Sequence, residues 1–174
     1  EVAHRLGLSC EIKNVPFNNV IPSVASGNQC DVGIASLTIN DQRKEKVNFT
    51  TPYYFVDQSV VVLEDTYDTV DELAELPVVA LTNSSSFDYA TNSVSSRVVS
   101  RTSVQECFKA LESGQARAVV TEYPVAKTLI ESYADCEILE RIATGDGYGI
   151  AVNKDNPALT EAINEALASM EEDG

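Results

Sequence analysis

Short runs of apolar residues alternate along this chain with segments in which apolar residues recur every three or four positions. The periodic segments predict amphipathic helices, and the short runs predict buried β-strands. The strands are expected at residues 11–15, 31–39, 59–63, 78–81, 97–100, 116–121, 137–139 and 149–152. Strands that alternate with helices predict βαβ units, and therefore an α/β fold of mainly parallel sheets with flanking helices.

Local signals define several of the boundaries between these elements. One of the asparagines at 18–19 is expected to cap the first amphipathic helix, which ends before Gly27. Thr69 and Ser103 each begin a Ser/Thr-x-x-Glu capping box, a pattern typical of helix N-termini. The two glycines within residues 145–147 predict a turn between the last two strands.

One arrangement of elements occurs twice. A helix, a Ser-Gly pair, three residues and a strand follow one another at residues 26–34 and again at residues 113–121. This repetition predicts two lobes of similar construction. Ligands of α/β sheets bind beyond the carboxyl ends of the strands. We therefore expect hydroxyl groups from one lobe and the carboxylate of Glu122 from the other to bind one small ligand.

Composition narrows the range of partners. The 174 residues include 12 Lys and Arg against 27 Asp and Glu, which gives a formal net charge of −15. Nucleic acids and anionic membranes bind through Lys and Arg, so the charge argues against both partners. No apolar run approaches the roughly 18 residues of a membrane span. We expect neither a nucleic-acid partner nor direct membrane insertion.

Residues typical of catalytic and metal sites are sparse. His4 is the one histidine, and the sequence contains no Gly-x-Ser-x-Gly motif and no glycine-rich phosphate loop. The four cysteines are widely spaced and form no Cys-x-x-Cys pair, which argues against structural zinc. One or two disulfides and four buried thiols remain alternatives for them. We expect no catalytic residue, no metal and no cofactor.

Residues 31–54 carry the most informative motif. A strand with a period of two would place Ser36 and Thr38 on the same side, and the following turn would supply Arg43. The planar guanidinium suits bidentate binding of a carboxylate, although Arg43 could instead belong to a solvated charge run with residues 44–46.

The pattern Asp-Val-x-x-Ala-x-x-Thr-Ile-x-x-x-Arg-x-x-x-Val-x-Phe-(Ser/Thr)-x-Pro-Tyr within this motif resembles the signature of the family 3 extracellular solute-binding proteins. These are polar amino-acid receptors of ABC importers with the type II periplasmic-binding-protein fold. The resemblance implies that Arg43 binds the α-carboxylate of the ligand. It also implies that Ser36 and Thr38 help to hold the carboxylate and the ammonium group.

A second segment, residues 79–87, resembles the Val-Gly-Val-x-x-Gly-Thr-Thr turn of the same family. Ser85 and Ser86 take the two threonine positions, and Ser84 replaces the usual glycine. The resemblance implies that hydroxyls and free N–H groups at this helix start complete the carboxylate site. An ordinary polar turn is the alternative.

A third segment, residues 118–126, resembles the family pattern Asp-Ala-Val-Val-x-Asp-x-Pro-Val-Ala. Glu122 takes the place of the second acid, with one more methylene group. The resemblance implies that Glu122 pairs with the ammonium group of the ligand. An exposed surface glutamate is the alternative.

The resemblance also implies a domain organisation. Residues 1–57 with 150–174 would form the first lobe and residues 58–149 the second, with a hinge at the crossings near 55–59 and 145–149. The family's first strand and its aromatic loop have no counterpart at the start of this chain, nor has its last segment at the end. We therefore expect a truncated member of the family with an incomplete first lobe.

The function implied by the resemblance is binding without catalysis. The chain would close on a small polar L-amino acid as the substrate-binding component of an ABC importer, in the periplasm or outside the cell. Its partners would be the amino acid and the membrane subunits of the transporter. A ligand-binding sensor or receptor domain is the alternative, and an enzyme similar to cyclohexadienyl dehydratase is a weaker one.

Overall fold

A computed structural model describes residues 1–133 and 135–174 of the chain. The chain divides into two compact units. Unit 1 comprises Glu1–Phe55 and Asp146–Gly174, and unit 2 comprises Val56–Gly145. The chain passes from one unit to the other within the strands Tyr54–Leu63 and Cys136–Val152.

The described residues form helices and strands in alternation. The helices are α1 (Val2–Arg5), α2 (Phe17–Ala25), α3 (Asp41–Lys44), α4 (Ser85–Tyr89), α5 (Val104–Glu112), α6 (Tyr123–Leu129) and α7 (Pro157–Asp173). The strands are β1 (Val32–Thr38), β2 (Asn48–Phe49), β3 (Tyr54–Leu63), β4 (Pro77–Leu81), β5 (Arg97–Arg101), β6 (Ala118–Glu122) and β7 (Cys136–Val152). Short 3₁₀ helices at Val70–Leu73 and Ile130–Ser132 and a π-helix at Ala90–Val94 complete the fold. The expected α/β class with flanking helices is confirmed.

In unit 1, β7 lies between β1 and β2 and pairs antiparallel with both. Helix α2 packs closely on β1, because a Cβ atom at Gly33 would lie only 2.7 Å from Cγ1 of Val20. The core of this layer consists of Val20, Ile21, Val24, Leu37, Val47 and Ala151. Helix α7 adds a second cluster, in which Ile163 packs with Ile150 and Val152 of β7.

The strand expected at residues 11–15 is not formed, because these residues lie outside any helix or strand. A strand requires a neighbouring backbone to satisfy its N–H and C=O groups. Within the described residues, β1 has β7 as its one strand neighbour and ends the strand order. Ile12 is 90% exposed, and Ile34 of β1 is exposed as well. The two apolar residues of the segment, Ile12 and Val15, were therefore insufficient to form this strand.

In unit 2, β4 pairs parallel with both β5 and β6, as the alternation of strands and helices predicts. Strand β3 pairs antiparallel with β6 and also neighbours β7. Successive residues of β3 enter two different core clusters, because side chains alternate across a strand. Val61 packs with α5 residues such as Phe108, whereas Val60 and Val62 pack on the other side with Leu73. The expected parallel pairing is thus found in unit 2, while the described pairs of unit 1 are antiparallel because β7 returns through it.

The helix boundaries agree with the capping signals in most places. At Thr69 the capping box is present, and at Ser103 the hydroxyl accepts a hydrogen bond from Glu106 N at 3.3 Å. Gly27 adopts φ +66° just after α2, as a helix-ending glycine does. The expected asparagine cap is wrong, because α2 already begins at Phe17 after Pro16, whose ring presets φ at −54°.

The turn expected at residues 145–147 is also wrong, because β7 runs through these residues without interruption. Gly147 serves a different purpose. A Cβ atom there would lie 2.7 Å from Cβ of Pro52, and the Gly147 carbonyl accepts a hydrogen bond from Ile39 N at 2.9 Å. The glycine permits a close approach of two chain segments.

The four cysteines are free in the structure. Cys107 and Cys136 are buried in the same core cluster of unit 2, whereas Cys10 is exposed and Cys30 is half-buried. Neither alternative drawn from the sequence describes them all. Burial raises the pKa of Cys107 to about 12 and also raises the pKa of Cys136.

We predict a clear order of thiol reactivity, because alkylation requires an accessible thiolate. With iodoacetamide at pH 8, Cys10 of the reduced protein should react at least about tenfold faster than Cys107. Mass spectrometry of peptides from timed samples measures both rates, and addition of urea should remove the difference. Equal rates in the native protein would contradict the placement of Cys107.

Packing predicts different costs for the same substitution at two phenylalanines. Phe108→Ala should lower the free energy of unfolding by about 3–5 kcal/mol, because the fully buried ring leaves a cavity. Phe55→Ala is the control, since Phe55 is 69% exposed, and should cost less than about 1 kcal/mol. Urea unfolding followed by circular dichroism tests this, and similar losses would refute the description of the core.

Candidate functional site

Arg43 occupies a defined position immediately after β1. Asn40 caps the short helix α3 by accepting a hydrogen bond from Arg43 N at 2.8 Å. One Arg43 guanidinium nitrogen donates to the Thr38 carbonyl at 2.8 Å, and the guanidinium lies 5.7 Å from the ring centroid of Phe17. Arg43 is only 8% exposed, whereas residues 44–46 are exposed. Arg43 therefore does not belong to the solvated charge run.

Ser36 does not follow the regular geometry expected of a strand, whereas Thr38 pairs in register with Tyr148. The register between β1 and β7 shifts between Gly33 and Leu37, and Ser36 within this interval adopts φ +51°. Ser36 is exposed, whereas Thr38 is buried. A left-handed residue other than glycine costs roughly 1–3 kcal/mol and is common at functional sites. We call Ser36, Thr38 and Arg43 the unit 1 group.

Three tyrosines cluster beside this group. Tyr148 pairs with Thr38 across the β1–β7 ladder, and its ring stacks on Tyr54 with centroids 5.9 Å apart. The ring of Tyr53 lies 6.3 Å from that of Tyr148. Burial raises the pKa of Tyr53, and a hydrogen bond with the Ser36 backbone opposes that rise. The tyrosines thus give the unit 1 group an aromatic neighbour.

In unit 2, Ser84 determines how α4 begins. Its hydroxyl accepts a hydrogen bond from Phe87 N at 3.1 Å and donates to the Leu81 carbonyl at 2.7 Å. Ser84 has φ −104°, so this position does not require glycine. The left-handed residue is instead the preceding Asn83, with φ +58°. The replacement of glycine by serine is therefore compatible with a well-capped helix start.

Gln58 connects the side chains that the sequence singled out in unit 2. Its Oε1 accepts a hydrogen bond from Ser86 at 2.8 Å, and its Nε2 donates to Ser85 at 3.3 Å. The Ser85 hydroxyl donates to Oε1 of Glu122 at 3.4 Å. We call these four residues the unit 2 group. The sequence analysis missed Gln58, because it stands in the polar stretch Asp57-Gln58-Ser59 and nothing in the local sequence distinguishes it.

Glu122 ends β6 and precedes α6, and it is half-buried. An ion pair joins the two strands beyond β6: Arg141 Nε of β7 lies 2.6 Å from Asp57 Oδ2 of β3. The Arg141 guanidinium also lies 4.1 Å above the ring of Tyr123, and the hydrogen bond to Asp57 raises the pKa of Arg141. Arg141 thus contacts both Asp57 and Tyr123, the residue that follows Glu122.

The two groups differ in the charge of the ligand group that they can bind. The unit 1 group combines a guanidinium with hydroxyls and can bind a carboxylate. The unit 2 group combines a carboxylate with hydroxyls and can bind a cation such as an ammonium group. Among the described residues, no cluster of three or more His, Cys, Asp or Glu side chains could hold a metal ion.

A cavity in unit 1 has a volume of about 430 Å³ and does not coincide with these groups. Its lining comes from Ile39, Lys44, Val47, Asn48, Phe49, Thr50, Pro157, Thr160 and Glu161. None of the six site residues expected from the sequence lines it. The candidate site is therefore defined by side-chain chemistry rather than by this cavity.

The cap at Ser84 yields a stability prediction. Ser84→Ala should lower the free energy of unfolding by about 1–2 kcal/mol, because Phe87 N and the Leu81 carbonyl both lose a partner. Ser93→Ala is the matched control, since Ser93 is exposed, and should change stability by less than about 0.5 kcal/mol. Urea unfolding measures both variants, and an unchanged midpoint for Ser84→Ala would contradict the cap.

No helix among the described residues has the length and apolar character needed to cross a membrane.

Two curated relatives illustrate what the chain is similar to. The ABC transporter arginine-binding protein 1 of Escherichia coli K12 is 30% identical over 171 residues, which cover 95% of this chain and 70% of that protein. The ABC transporter glutamine-binding protein GlnH of Bacillus subtilis 168 is 29% identical over 167 residues, covering 94% of this chain and 61% of that protein.

Solved structures agree with this similarity. An ancestral arginine-binding protein bound to arginine has a TM-score of 0.89 and 34% identity, covering 99% of this chain and 79% of the other. An ancestral arginine-binding protein bound to glutamine gives a TM-score of 0.88. The expected type II periplasmic-binding-protein fold is thereby confirmed. All 174 residues match the family described as bacterial extracellular solute-binding proteins, family 3, and the chain belongs to that family.

Proposed function

We propose that this chain binds a small polar L-amino acid as the substrate-binding component of an ABC importer, in the periplasm or outside the cell. The observation that carries the proposal is the burial of Arg43 directly after β1, in a chain whose relatives are named for amino-acid binding. Transporter membrane subunits would receive the loaded protein, and the role requires no catalytic residue.

The unit 1 group would bind the α-carboxylate of the amino acid. Arg43 has a planar fork of donors, and its bond to the Thr38 carbonyl orients that fork relative to β1. Charge-assisted hydrogen bonds are stronger where water is excluded, and Arg43 is almost completely buried. The left-handed backbone at Ser36 supports the same role, since such strain persists where function requires it.

Within the unit 2 group, Glu122 would bind the ammonium group, and the hydroxyls of Ser85 and Ser86 would complete the carboxylate site, as the resemblance implies. Glu122 supplies the charge, Ser85 lies within hydrogen-bond distance of it, and Ser86 is held by Gln58. An amino acid at neutral pH carries a carboxylate and an ammonium group, which are the two groups that these sets of side chains complement. L-arginine and L-glutamine are the first candidates, since relatives and solved structures carry their names.

Thermal unfolding against a panel of L-amino acids tests the proposal. A ligand at about 100 times its Kd stabilises the folded state by about 2.7 kcal/mol, which raises the Tm of a chain of this size by about 5–10 °C. Arg43→Ala should abolish the shift, because the carboxylate loses its bidentate partner. Lys44→Ala is the control and should retain the shift, because Lys44 is exposed.

Two results would count against the proposal. The first is a cooperatively folded protein that no L-amino acid stabilises. The second is an Arg43→Ala variant that still unfolds cooperatively and shows the full ligand-induced shift. Because Arg43 is buried, each variant must be compared with its own ligand-free Tm.

A further inference from the structure

We propose that Gln58 is a positioning residue for ligand binding, which acts through Ser85 on the carboxylate of Glu122. This inference rests on the proposed function, because it takes Glu122 as the group that binds the ammonium of the amino acid. Gln58 is completely buried, and it lies within β3 of unit 2. A fully buried amide requires partners for its oxygen and its nitrogen.

The hydrogen bonds of the unit 2 group run in one direction. An ionised carboxylate can only accept, so the single Ser85 hydroxyl proton points toward Glu122 Oε1, at an O···O distance of 3.4 Å. The Ser85 oxygen is then available as the acceptor for Nε2 of Gln58, at 3.3 Å. That orientation turns Oε1 of Gln58 toward the Ser86 hydroxyl, which donates to it at 2.8 Å.

The backbone places these side chains together. Gln58 and Glu122 lie directly opposite each other in the antiparallel β3–β6 ladder. Directly opposed residues project from the same face of a sheet, where their side chains are neighbours. Ser85 and Ser86 come from the first turn of α4, so three elements of unit 2 converge on the amide. The short hydrogen bond from Ser86 fixes the orientation of the Gln58 amide. The two longer hydrogen bonds, from Gln58 to Ser85 and from Ser85 to Glu122, then orient the Glu122 carboxylate.

Glutamine is the residue that meets both requirements. An apolar side chain at this position would leave the buried Ser86 hydroxyl without its acceptor. A glutamate would accept from Ser86 but could not donate to Ser85. Two carboxylates would then compete for the hydrogen bond from the Ser85 hydroxyl, and Ser85 would no longer donate to Glu122 alone. Gln58 thus fixes where the Glu122 oxygens lie before the ligand arrives.

A double-mutant cycle measures this coupling. The variants are Gln58→Met, Glu122→Gln and the double variant, and the probe is L-arginine, with L-glutamine in parallel, in calorimetric titrations. Gln58→Met should weaken binding about 5- to 10-fold, and Glu122→Gln should weaken it further, because the charge is lost. The double variant should bind no more weakly than Glu122→Gln, because Gln58 then has no carboxylate to position.

Gln105→Met is the matched control, since Gln105 is exposed on α5 of the same unit, and its Kd should equal that of the unmodified chain. Should Gln58→Met fail to unfold cooperatively, Gln58→Glu preserves the side-chain shape and the Ser86 bond. Gln58→Glu should likewise be non-additive with Glu122→Gln.

The outcomes separate this inference from the proposed function. Additive losses in the cycle would overturn the positioning role of Gln58 and leave the binding function intact, since a merely structural glutamine weakens binding with or without Glu122. Unchanged affinity in Glu122→Gln would remove Glu122 from the site, and the role of Gln58 with it. If no amino acid of the panel binds the unmodified chain, the proposed function itself fails.

Discussion

Buried polar side chains must find hydrogen-bond partners, and both groups of the candidate site depend on this requirement. Arg43 meets it in part through the Thr38 carbonyl, and Gln58 meets it through two serines. Side chains held in this way lose little further conformational freedom when a ligand binds. The rotamer entropy is lost during folding, when the apolar core can offset it. Under the proposed function, affinity for a small charged ligand would follow from geometry that exists before the ligand binds.

Close packing of the scaffold supports this geometry. At Gly33 and Gly147 a single added carbon would lie 2.7 Å from a neighbouring side chain, so helix α2 and the segment around Pro52 pack directly on the strands. In unit 2, the valines of β3 enter core clusters on both sides of the sheet. Gln58 lies in the same strand, in the polar stretch Asp57-Gln58-Ser59 that precedes these valines. A buried glutamine is energetically costly unless both the oxygen and the nitrogen of its amide form hydrogen bonds. The positions of α4 and β6 relative to β3 are therefore constrained as well.

Local signals in the sequence predicted most of the elements, since hydrophobic period and capping chemistry act over a few residues. The capping box at Thr69 is an example. In two of the failures a distant partner decides the outcome. Residues 11–15 were expected to form a strand but form none, because strand formation depends on a neighbouring backbone. The glycines at 145–147 suggested a turn, yet Gly147 is small because Pro52 lies against it.

The sequence by itself determined the α/β class, the family signature of residues 31–54 and the residue types available for binding, because each of these is written in local order and spacing. Only the tertiary structure decided that Arg43 is buried while its charged neighbours are exposed, and that Ser36 lies in a left-handed bulge. It also decided that Gln58 joins Ser85, Ser86 and Glu122. These properties depend on contacts between residues far apart in the sequence, such as Gln58 and Glu122 in the β3–β6 ladder, and such contacts form when strands pair and helices pack.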